Sequence, residues 1–480
     1  LTAVPSTTPM AALQGKVPGV NIVNNGAPGE GPTVKIRGIG SFSNSKPLFV
    51  VDGMFYDNIN FLNNADIQEM SILKDASAAA IYGVRAANGV VLITTKKGSR
   101  NQKAKITYDG YVGIQKASNV LELCNAHEYA TMLLEGNFDS YKTHFIQSID
   151  KYGGSYDDPD FHNWTFGADN DWYDQLLRTA AITNHSLNIN GGSEKAVYAV
   201  GVSYLYQDGI MDVDNNYKRL NFRGSVDYDA TNWLKVGFNG VFSNSTQQVP
   251  NNQAWQKAFN CPPIVALYDE EYNDKSFPDK FGSPDAIGYT SNFYNPIATA
   301  KYFDSSKENY QVLSNFYAQI DFIPGKLNFK TNYSYSFLST QGREFTPKYY
   351  VSSWQQSATT QLTKNENKYY NYIWDNTLTY NDQWGKHRFG AMAGYSMRQE
   401  QWRMFEGKAS NVPDGADEYW YIKNGDAAGA TVKDDGYCYR GVSYFARLNY
   451  NYDDKYLLMF TMRADGSSKY QEHWGYFPSV

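Results

Sequence analysis

Four charged residues near the start of the chain, Arg37, Asp52, Lys74 and Asp75, are the first candidates for chemistry. Acid–base catalysis needs such groups in a defined constellation. The sequence has no GxSxG, HExxH or P-loop motif and no Ser/His/Asp spacing typical of hydrolases. Polar groups that are enclosed by protein pair with one another or with the segments around them. We therefore predict that these four residues are structural and that the protein is not an enzyme.

A second group of side chains suits binding rather than catalysis. Phe42, Asn44, Tyr56 and Asn58 combine aromatic rings with amides, which can stack on a sugar and hydrogen-bond to it. Long connecting segments add five tryptophans, which are Trp164, Trp172, Trp255, Trp354 and Trp420. These rings suit the apolar face of a sugar or a peptide side chain. For both sets the alternative, that the residues only fold or seal their own segments, stays open.

Metal and redox chemistry have little support. Cys124, Cys261 and Cys438 form no CxxC pair and have no histidine at ligand spacing, and the six histidines are scattered. Acidic residues cluster around positions 157–160 and 169–171, and carboxylate oxygens are ligands that calcium prefers. No EF-hand spacing is present there. We expect no cofactor, with calcium in this segment as the one alternative.

Composition narrows the class of protein. The 480 residues carry a formal charge of −6 and no basic cluster, which argues against nucleic acid as a partner. No stretch approaches the roughly 18 apolar residues of a membrane-spanning helix. Yet 40 Tyr, 26 Phe and 10 Trp make the chain 16% aromatic. Such an excess suits the aromatic girdles of a membrane β-barrel or a soluble carbohydrate-binding β-protein.

After a polar lead-in (1–11), residues 12–101 predict a small mixed α/β unit. PTVKIRG (32–38), PLFVVDG (47–53) and GVVLITTKKG (89–98) are β-type runs that end in glycine. DIQEMSIL (66–73) alternates apolar and polar residues, and Asp66 is expected to cap or pair locally. KDASAAAIYG (74–83) has the alanine content and terminal glycine of a short helix. Asp52-Gly53 predicts a turn.

From residue 102 onward the chain changes to long segments with a period of two. RLNFRGSVDY (219–228) sets Leu220, Phe222, Val226 and Tyr228 against polar neighbours, and AVYAVGVSYLYQ (196–207) has the same pattern. Eleven such strands can be counted. This pattern is typical of a transmembrane antiparallel β-barrel. The preceding mixed unit would then be a plug inside the barrel lumen.

The connections between these strands support the barrel. Short ones, such as 191–195, 229–233 and 323–326, alternate with long ones, such as 116–184, 247–307 and 402–440, as turns and loops do in outer-membrane barrels. Asn125 and Glu128 have capping-box spacing before a helix in the first long loop. Bacterial single-chain barrels have an even number of strands. Eleven therefore predict the N-terminal portion of a longer barrel.

At these residues the chain resembles the SusC/RagA family of TonB-dependent outer-membrane transporters from Bacteroidetes-type bacteria. The resemblance rests on ALQGKVPGVNI (12–22), VKIRGIGSFSNSKPLFVVDG (34–53), DIQEMSILKDASAAAIYGVRAANGVVLITTKKG (66–98), NHSLNINGGSEKAVYAVGVSYLYQDGI (184–210) and the segment 443–480. It implies a plug within a barrel of about 22 strands. It also implies a SusD-like lipoprotein lid and coupling to the TonB–ExbB–ExbD complex through a TonB box upstream of Leu1.

The resemblance and the residues together predict a function. We expect energy-coupled import of a large nutrient across the bacterial outer membrane, with an oligosaccharide favoured as the ligand and a peptide as the alternative. Inward polar residues of the wall, Arg219, Arg223, Asn332 and Arg447, would pair with the plug or contact the ligand. A passive porin has no use for a folded plug. A soluble glycan-binding β-protein is the remaining rival.

Overall fold

The computed structural model describes residues 6–479 except 25, 39–44, 75–85, 87, 137–138, 272–276, 278 and 290–292. A long antiparallel sheet, here called the wall, dominates it. Its twelve strands follow one another in chain order, each paired with the next. In order they are β7 Gln102–Gln115, β8 Ala180–Gly192, β9 Ala196–Asp208, β10 Asn216–Asp229, β11 Leu234–Gln248, β12 Asp304–Ile323, β13 Leu327–Thr346, β14 Gln361–Trp384, β15 His387–Ser410, β16 Thr431–Tyr452, β17 Tyr456–Ser467 and β18 Trp474–Ser479. Among the described residues β7 and β18 do not pair with each other.

The predicted β-barrel class is confirmed, with one strand more than the eleven counted. The additional strand is β18, which pairs with β17 from Thr461↔Ser479 to Gly466↔Trp474. Its six residues include a proline and carry no clear alternation. Several strands are also longer than expected, because β14 and β15 have 24 residues each. At about 3.3 Å per residue they extend far beyond an apolar band of about 25 Å.

The two faces of the wall differ as the period of two predicts. On β9, Val200 is 55% exposed, whereas Ala199 and Ser203 are 1% and 3% exposed. Large apolar side chains share the outer face: Leu187, Tyr198, Tyr204, Phe222, Val226, Phe242 and Phe316. Aromatic residues are exposed beside the short turns, among them Tyr228, Trp233, Trp384 and Tyr456. Exposed aromatic side chains at this level of the wall match the aromatic girdle of a membrane barrel.

Val200→Arg tests this assignment of faces. An arginine there places a guanidinium in the apolar outer band, which costs about 2–4 kcal/mol near the membrane midplane. We expect a lower midpoint in urea unfolding from lipid vesicles. Ser203 on the opposite face is only 3% exposed, so it is not a suitable control for an arginine. Asn332→Arg is the better control, because Asn332 borders an inner polar cavity of about 470 Å³ beside Asp375. Equal losses in both variants would contradict the assignment.

Because successive wall strands are antiparallel, their connections alternate between two ends of the sheet. The short turns 193–195, 230–233, 324–326, 385–386 and 453–455 lie at one end. The connections 116–179, 209–215, 249–303, 347–360, 411–430 and 468–473 lie at the other, which we call the loop end. The predicted separation of short turns from long loops is confirmed.

The long loops at the loop end have a folded core of their own. Their α-helices are α1 Ala126–Glu135, α2 Lys142–Tyr152, α3 Trp172–Leu176, α4 Gln253–Asn260 and α5 Pro296–Lys301. Phe145, Trp172, Met211, Ile264 and Ile287, which come from three different loops, are all in one buried cluster. The predicted capping box is present at α1, where Asn125 and Glu128 bond each other's backbone. Among the described residues, no helix is long and apolar enough to cross a membrane.

The segment before the wall forms the predicted plug. Its strands are β1 Val20–Val23, β2 Thr33–Ile36, β3 Leu48–Val51, β4 Met54–Tyr56, β5 Ile67–Leu73 and β6 Val90–Thr95. A four-stranded sheet has the order β4-β3-β6-β5, with β3 and β6 parallel. Met10 is 2% exposed within the plug core, so the folded unit includes part of the expected lead-in. The helix expected at 74–83 lies almost entirely outside the described residues.

The plug core continues into the wall. Val241 of β11, Leu313 of β12 and Ile373 of β14 belong to the same buried cluster as the plug's Phe49, Val51, Met54 and Ile93. These three wall residues therefore face the plug, and they fix the inner side of their strands. Since alternate residues of a strand share a face, every inner position on the neighbouring strands follows from the register.

Candidate functional site

The plug is held to the inner wall by a buried polar contact at Asp66. Its carboxylate lies 3.5 Å from the Arg223 guanidinium, and the two side chains are 5% and 2% exposed. Arg219 donates to the Asn60 carbonyl, Asn221 to the Phe61 carbonyl at 2.8 Å, and Arg223 to the Lys96 carbonyl. We call Asp66, Arg219, Asn221 and Arg223 the plug anchor. Three consecutive inner positions of β10 thus bind the plug at two places, residues 60–61 and Lys96.

Burial outweighs the nearby positive charges at Asp66. Burial raises the pKa of the Asp66 carboxyl, while Arg223, Arg219 and Lys96 act in the opposite direction. Asp66 was expected to cap or pair locally. The structure gives that local role to Asn63, whose side chain accepts from the Ala65 amide at 2.9 Å. Asp66 instead pairs across the plug–wall boundary, which its sequence neighbourhood does not reveal.

A second contact joins the plug turn to the wall. Asp52 and Gly53 form the predicted two-residue turn between β3 and β4, with φ angles of +47° and +91° that suit a hairpin turn. The Asp52 carboxylate accepts from the Thr95 amide at 3.0 Å and from the Thr95 hydroxyl at 2.8 Å. Asn239 of β11 also donates to this carboxylate. Asp52 therefore joins β6 of the plug to β11 of the wall.

More exposed pairs border this interface. Lys97 lies 3.0 Å from Asp227, and Arg100 lies 2.5 Å from Asp229. Of the other charged plug residues, Lys74 donates to the Pro18 carbonyl at 2.5 Å, and the Arg37 amide donates to the Gly19 carbonyl at 2.9 Å. Asp75 lies outside the described residues. The two ion pairs to the wall are open to solvent and contribute little free energy, and the two hydrogen bonds lie within the plug.

A row of aromatic side chains crosses the inner wall above the plug, on the side of the loop end. Tyr369 of β14 is the register partner of Trp402 on β15, which is in turn the partner of Tyr437 on β16. Tyr369 shares the inner face with Ile373, which packs on the plug. Tyr439 stands two residues from Tyr437, with ring centroids 4.6 Å apart. We call these four side chains the inner aromatic row. No local pattern in the sequence indicates this row.

The plug residues that were expected to face a ligand differ in exposure and in their contacts. Tyr56 is only 8% exposed, and its hydroxyl hydrogen-bonds to Ser336 of the wall. Burial raises its pKa. It therefore seals the plug against the wall and offers no ring face to a ligand. Asn58 is exposed and accepts from the Asn60 amide at 3.3 Å, so ligand contact there stays a prediction. Phe42 and Asn44 lie outside the described residues.

Three of the five loop tryptophans are buried inside the folded loops and are not available to a ligand. Trp164, Trp172 and Trp420 are 5%, 1% and 6% exposed, which leaves no free ring face. The expectation of ligand stacking is corrected for these three, because each packs in a hydrophobic cluster. Trp255 is half-buried against the loop core. Trp354, 54% exposed, keeps its place as a candidate.

The acidic residues of the first long loop serve as local caps. Asp171 accepts from the Tyr173 and Asp174 amides at the start of α3, and Asp169 accepts from the Ala126 amide. Asp160 accepts from the amide of His162. Across the described part of the chain, no group of three or more His, Cys, Asp or Glu side chains is arranged to hold a metal ion. The expectation of no cofactor, with calcium in this loop as the alternative, stays a prediction.

The three cysteines do not form a disulfide with one another. Cys261 is buried in the loop core, while Cys124 and Cys438 are exposed. Burial raises the pKa of the Cys261 thiol well above its ordinary value. A thiol in that environment stays protonated and is a poor nucleophile. Cys261 therefore acts as a small apolar residue of the loop core.

Comparison with known proteins gives a consistent family of relatives. Residues 1–90 match the model of the TonB-dependent receptor plug domain. A TonB-dependent receptor of Formosa agariphila is 32% identical over 100% of this chain and 45% of its own length. The TonB-dependent receptor SusC of Bacteroides thetaiotaomicron is 30% identical over 99% of this chain and 47% of its own length.

Solved structures share the fold. The RagAB peptide importer in its closed-closed state superposes with a TM-score of 0.80 at 24% identity, over 99% of this chain and 55% of that one. The unliganded ferric citrate transporter FecA gives a TM-score of 0.57 at 11% identity, over 96% of this chain and 53% of that one. The chain thus spans about half the length of the relatives that it matches.

Proposed function

We propose that this chain, which belongs to the SusC/RagA family of TonB-dependent transporters of the bacterial outer membrane, is part of an energised importer of a large nutrient. Its wall strands would line the passage and its plug would be the gate. Opening requires the plug to move or rearrange within the lumen. The two-state element is then the docked or displaced plug.

The plug anchor is the observation that carries this proposal. A folded unit is fixed to the wall by a buried ion pair and by hydrogen bonds from three consecutive inner positions of β10. Such contacts hold a plug firmly at rest, yet they can be broken by force without breaking a covalent bond. A passive pore gains nothing from an obstruction of this kind. The anchor therefore favours a gated path over free diffusion.

The family indicates which partners the proposed importer would have. A SusD-like surface lipoprotein would close the loop end, where the long loops share a buried hydrophobic core. The TonB–ExbB–ExbD complex would pull on the plug through a TonB box preceding the described segment. Both partners belong to the whole transporter, of which this chain corresponds to about half the length of its relatives.

An oligosaccharide is the ligand that the site favours. The inner aromatic row offers ring faces above the plug, and amide side chains such as Asn367 and Asn371 lie on the same face of β14. Rings with a few placed polar groups are typical of small-molecule sites. Peptide import is the alternative, and the solved RagAB relative is a peptide importer. At 24% identity that likeness supports the fold and leaves the ligand open.

Uptake by living cells tests the proposal. A deletion strain is complemented with the full-length gene, and entry of fluorescently labelled neutral oligosaccharides and of a labelled peptide pool is followed with and without a protonophore. We expect oligosaccharide entry that depends on the gene and is lost with the protonophore. Gene-dependent entry that persists with the protonophore would show a passive pore. Energised entry of peptides alone would replace the ligand class.

A further inference from the structure

Polar contacts attach the plug to one side of the wall. Three ion pairs join β10 to the segment before the wall, at Asp66, Lys97 and Arg100. The Asn63 side chain donates to the Asn184 side chain of β8 at 3.0 Å. The chain also passes from the plug into the wall on this side, because β7 follows β6 and pairs with β8. We call strands β8, β9 and β10 the held side.

The plug meets β12, β13 and β14 through a thin apolar layer. Leu313 of β12 and Ile373 of β14 belong to the same buried cluster as Met54 of the β3–β4 hairpin. Met54 and Phe55 also line a gap of about 20 Å³ against β14 and β15, which has room for about one water molecule. We call strands β12, β13 and β14 the seal side. At rest the apolar layer closes the lumen between the plug and these strands.

A polar cavity of about 470 Å³ lies directly beneath this layer, toward the short turns. Asn315 of β12, Asn332 of β13 and Asp375 of β14 line it. On β12 and β14 the cavity residue lies only two positions nearer the turns than the side chain of the apolar layer. Since alternate residues of a strand share a face, the apolar layer on these two strands is one side chain deep.

The cavity has the size and the chemistry of a binding site. Small-molecule sites have volumes of roughly 300–1,000 Å³, and this cavity falls within that range. Amide side chains of three strands line it, which are Asn239, Asn315 and Asn332. An amide both donates and accepts hydrogen bonds, which suits sugar hydroxyls and peptide groups alike. The Lys97–Asp227 pair at its border is partly exposed, so water reaches the cavity.

The two sides of the plug differ in what their separation would cost. Parting the held side would remove Arg223 from Asp66, and a buried charge without its partner is strongly unfavourable. Parting the seal side would expose apolar surface, at a cost that grows with the area exposed. That area is small, because the layer is thin and a wet polar cavity already lies beneath it. Under load the seal side therefore separates first.

We propose that the passage opens on the seal side, between the β3–β4 hairpin and strands β12 to β14, while the plug stays attached to the held side. The cavity is then a transit site, which receives the ligand once the hairpin has moved. The plug acts as a hinged gate with its pivot at β8 to β10. This inference rests on the proposed import function and says where that gate opens.

Cross-links on either side of the plug test this opening. The three native cysteines of the full-length transporter are first replaced by alanine. Met54→Cys with Ile373→Cys then links the seal side, since both side chains line the same gap. Asn63→Cys with Asn184→Cys links the held side, where the two side chains are already in contact. Dibromobimane joins each pair and becomes fluorescent only when both thiols have reacted, which measures the yield.

Uptake of the labelled oligosaccharides and of the labelled peptide pool is measured in cells before and after cross-linking. We expect the seal-side cross-link to reduce uptake to the level of the deletion strain. The held-side cross-link should leave uptake near that of unlinked cells. Loss of uptake with both cross-links would show that the whole plug leaves the barrel, and it would overturn the inference. Loss with the held-side cross-link alone, or with neither, would overturn it as well.

A bulky adduct tests the transit site independently of the cross-links. Asn332 lines the transit cavity, whereas Asn449 lines a separate cavity beside β15 and β17. Asn332→Cys and Asn449→Cys are each labelled with fluorescein maleimide in the same cysteine-free background. We expect the adduct at position 332 to block uptake and the adduct at position 449 to leave it unchanged. Equal uptake in the two labelled variants, whether high or low, would contradict the transit site.

Failure of the gated import and failure of this inference give different results. Wild-type entry that ignores a protonophore refutes energised import before any cross-link is made. Energised wild-type uptake with the wrong pattern among the cross-linked forms refutes only the opening on the seal side. Each unlinked pair should import as the wild type does, and its heat-modifiable gel mobility should show a folded barrel. Every comparison is then made within one variant.

Discussion

Replacing Arg223 with methionine is expected to loosen the docked plug by about 3–5 kcal/mol, the range for removing one partner of a buried ion pair. The side chain is buried with Asp66, and its guanidinium also donates to the Lys96 carbonyl. Methionine fills similar volume but leaves a carboxylate and a carbonyl without that partner. Hydrogen exchange of the plug strands in the purified full-length protein should therefore accelerate. Cells carrying the variant should become sensitive to vancomycin, which an intact outer membrane excludes.

Lys97→Met is the control for this prediction. It removes a plug–wall ion pair of similar length, 3.0 Å, whose side chains are 38% and 23% exposed. Pairs open to water contribute at most about 1 kcal/mol. Plug exchange and vancomycin resistance should therefore stay near the wild type. If Arg223→Met and Lys97→Met behaved alike, the plug anchor would not be the principal attachment of the plug.

Trp172→Ala is expected to cost about 3–5 kcal/mol, as large-to-small substitutions of buried tryptophans do. The side chain is 1% exposed in the loop core, and its indole donates to the Pro262 carbonyl at 3.1 Å. The loss should fall on the loops of the loop end, because the ladders of the wall do not depend on this residue. Limited proteolysis should then cut the segments 116–179 and 249–303 while the barrel stays intact.

Trp354→Ala provides the comparison, since this ring is 54% exposed and a surface substitution usually changes stability by less than about 0.5 kcal/mol. The pair separates a structural tryptophan from one that is available to a ligand. Unchanged protease resistance together with lost ligand affinity in Trp172→Ala would contradict its structural assignment. It would then restore the original expectation that this ring stacks on the ligand.

Local pattern in the sequence was enough for much of the fold. The alternation in 196–207 and 219–228 determined which residues face lipid, because a strand alternates its side chains whatever its partners are. Asp52-Gly53 determined a hairpin turn, and Asn125 with Glu128 determined a helix start, since both depend on neighbours in the chain. The resemblance in 12–98 and 184–210 determined the family. Each of these properties depends on residues that are close together in the chain or lie within one strand.

The features that the sequence did not predict can also be explained locally. The loop-end part of β14 was missed because TKNENK (363–368) is polar on both faces, so the alternation disappears while the backbone ladder continues. The loop-end part of β15 was missed because Trp402, Met404 and Phe405 place apolar side chains on both faces, which also removes the alternation. The short strand β18 was missed for a similar reason. The buried tryptophans 164, 172 and 420 were assigned to ligand contact, because a sequence shows a ring in a loop but not the loop packed around it.

The sequence by itself therefore determined the class of this protein: a plug, an alternating wall, long loops at one end and the transporter family. Tertiary structure decided which residues meet. Asp66 and Arg223 are separated by more than 150 positions and become partners only when the plug docks. Tyr369, Trp402 and Tyr437 become one row only through the register of three strands. Contacts between distant segments depend on how whole elements pack, and one-dimensional spacing does not carry that information.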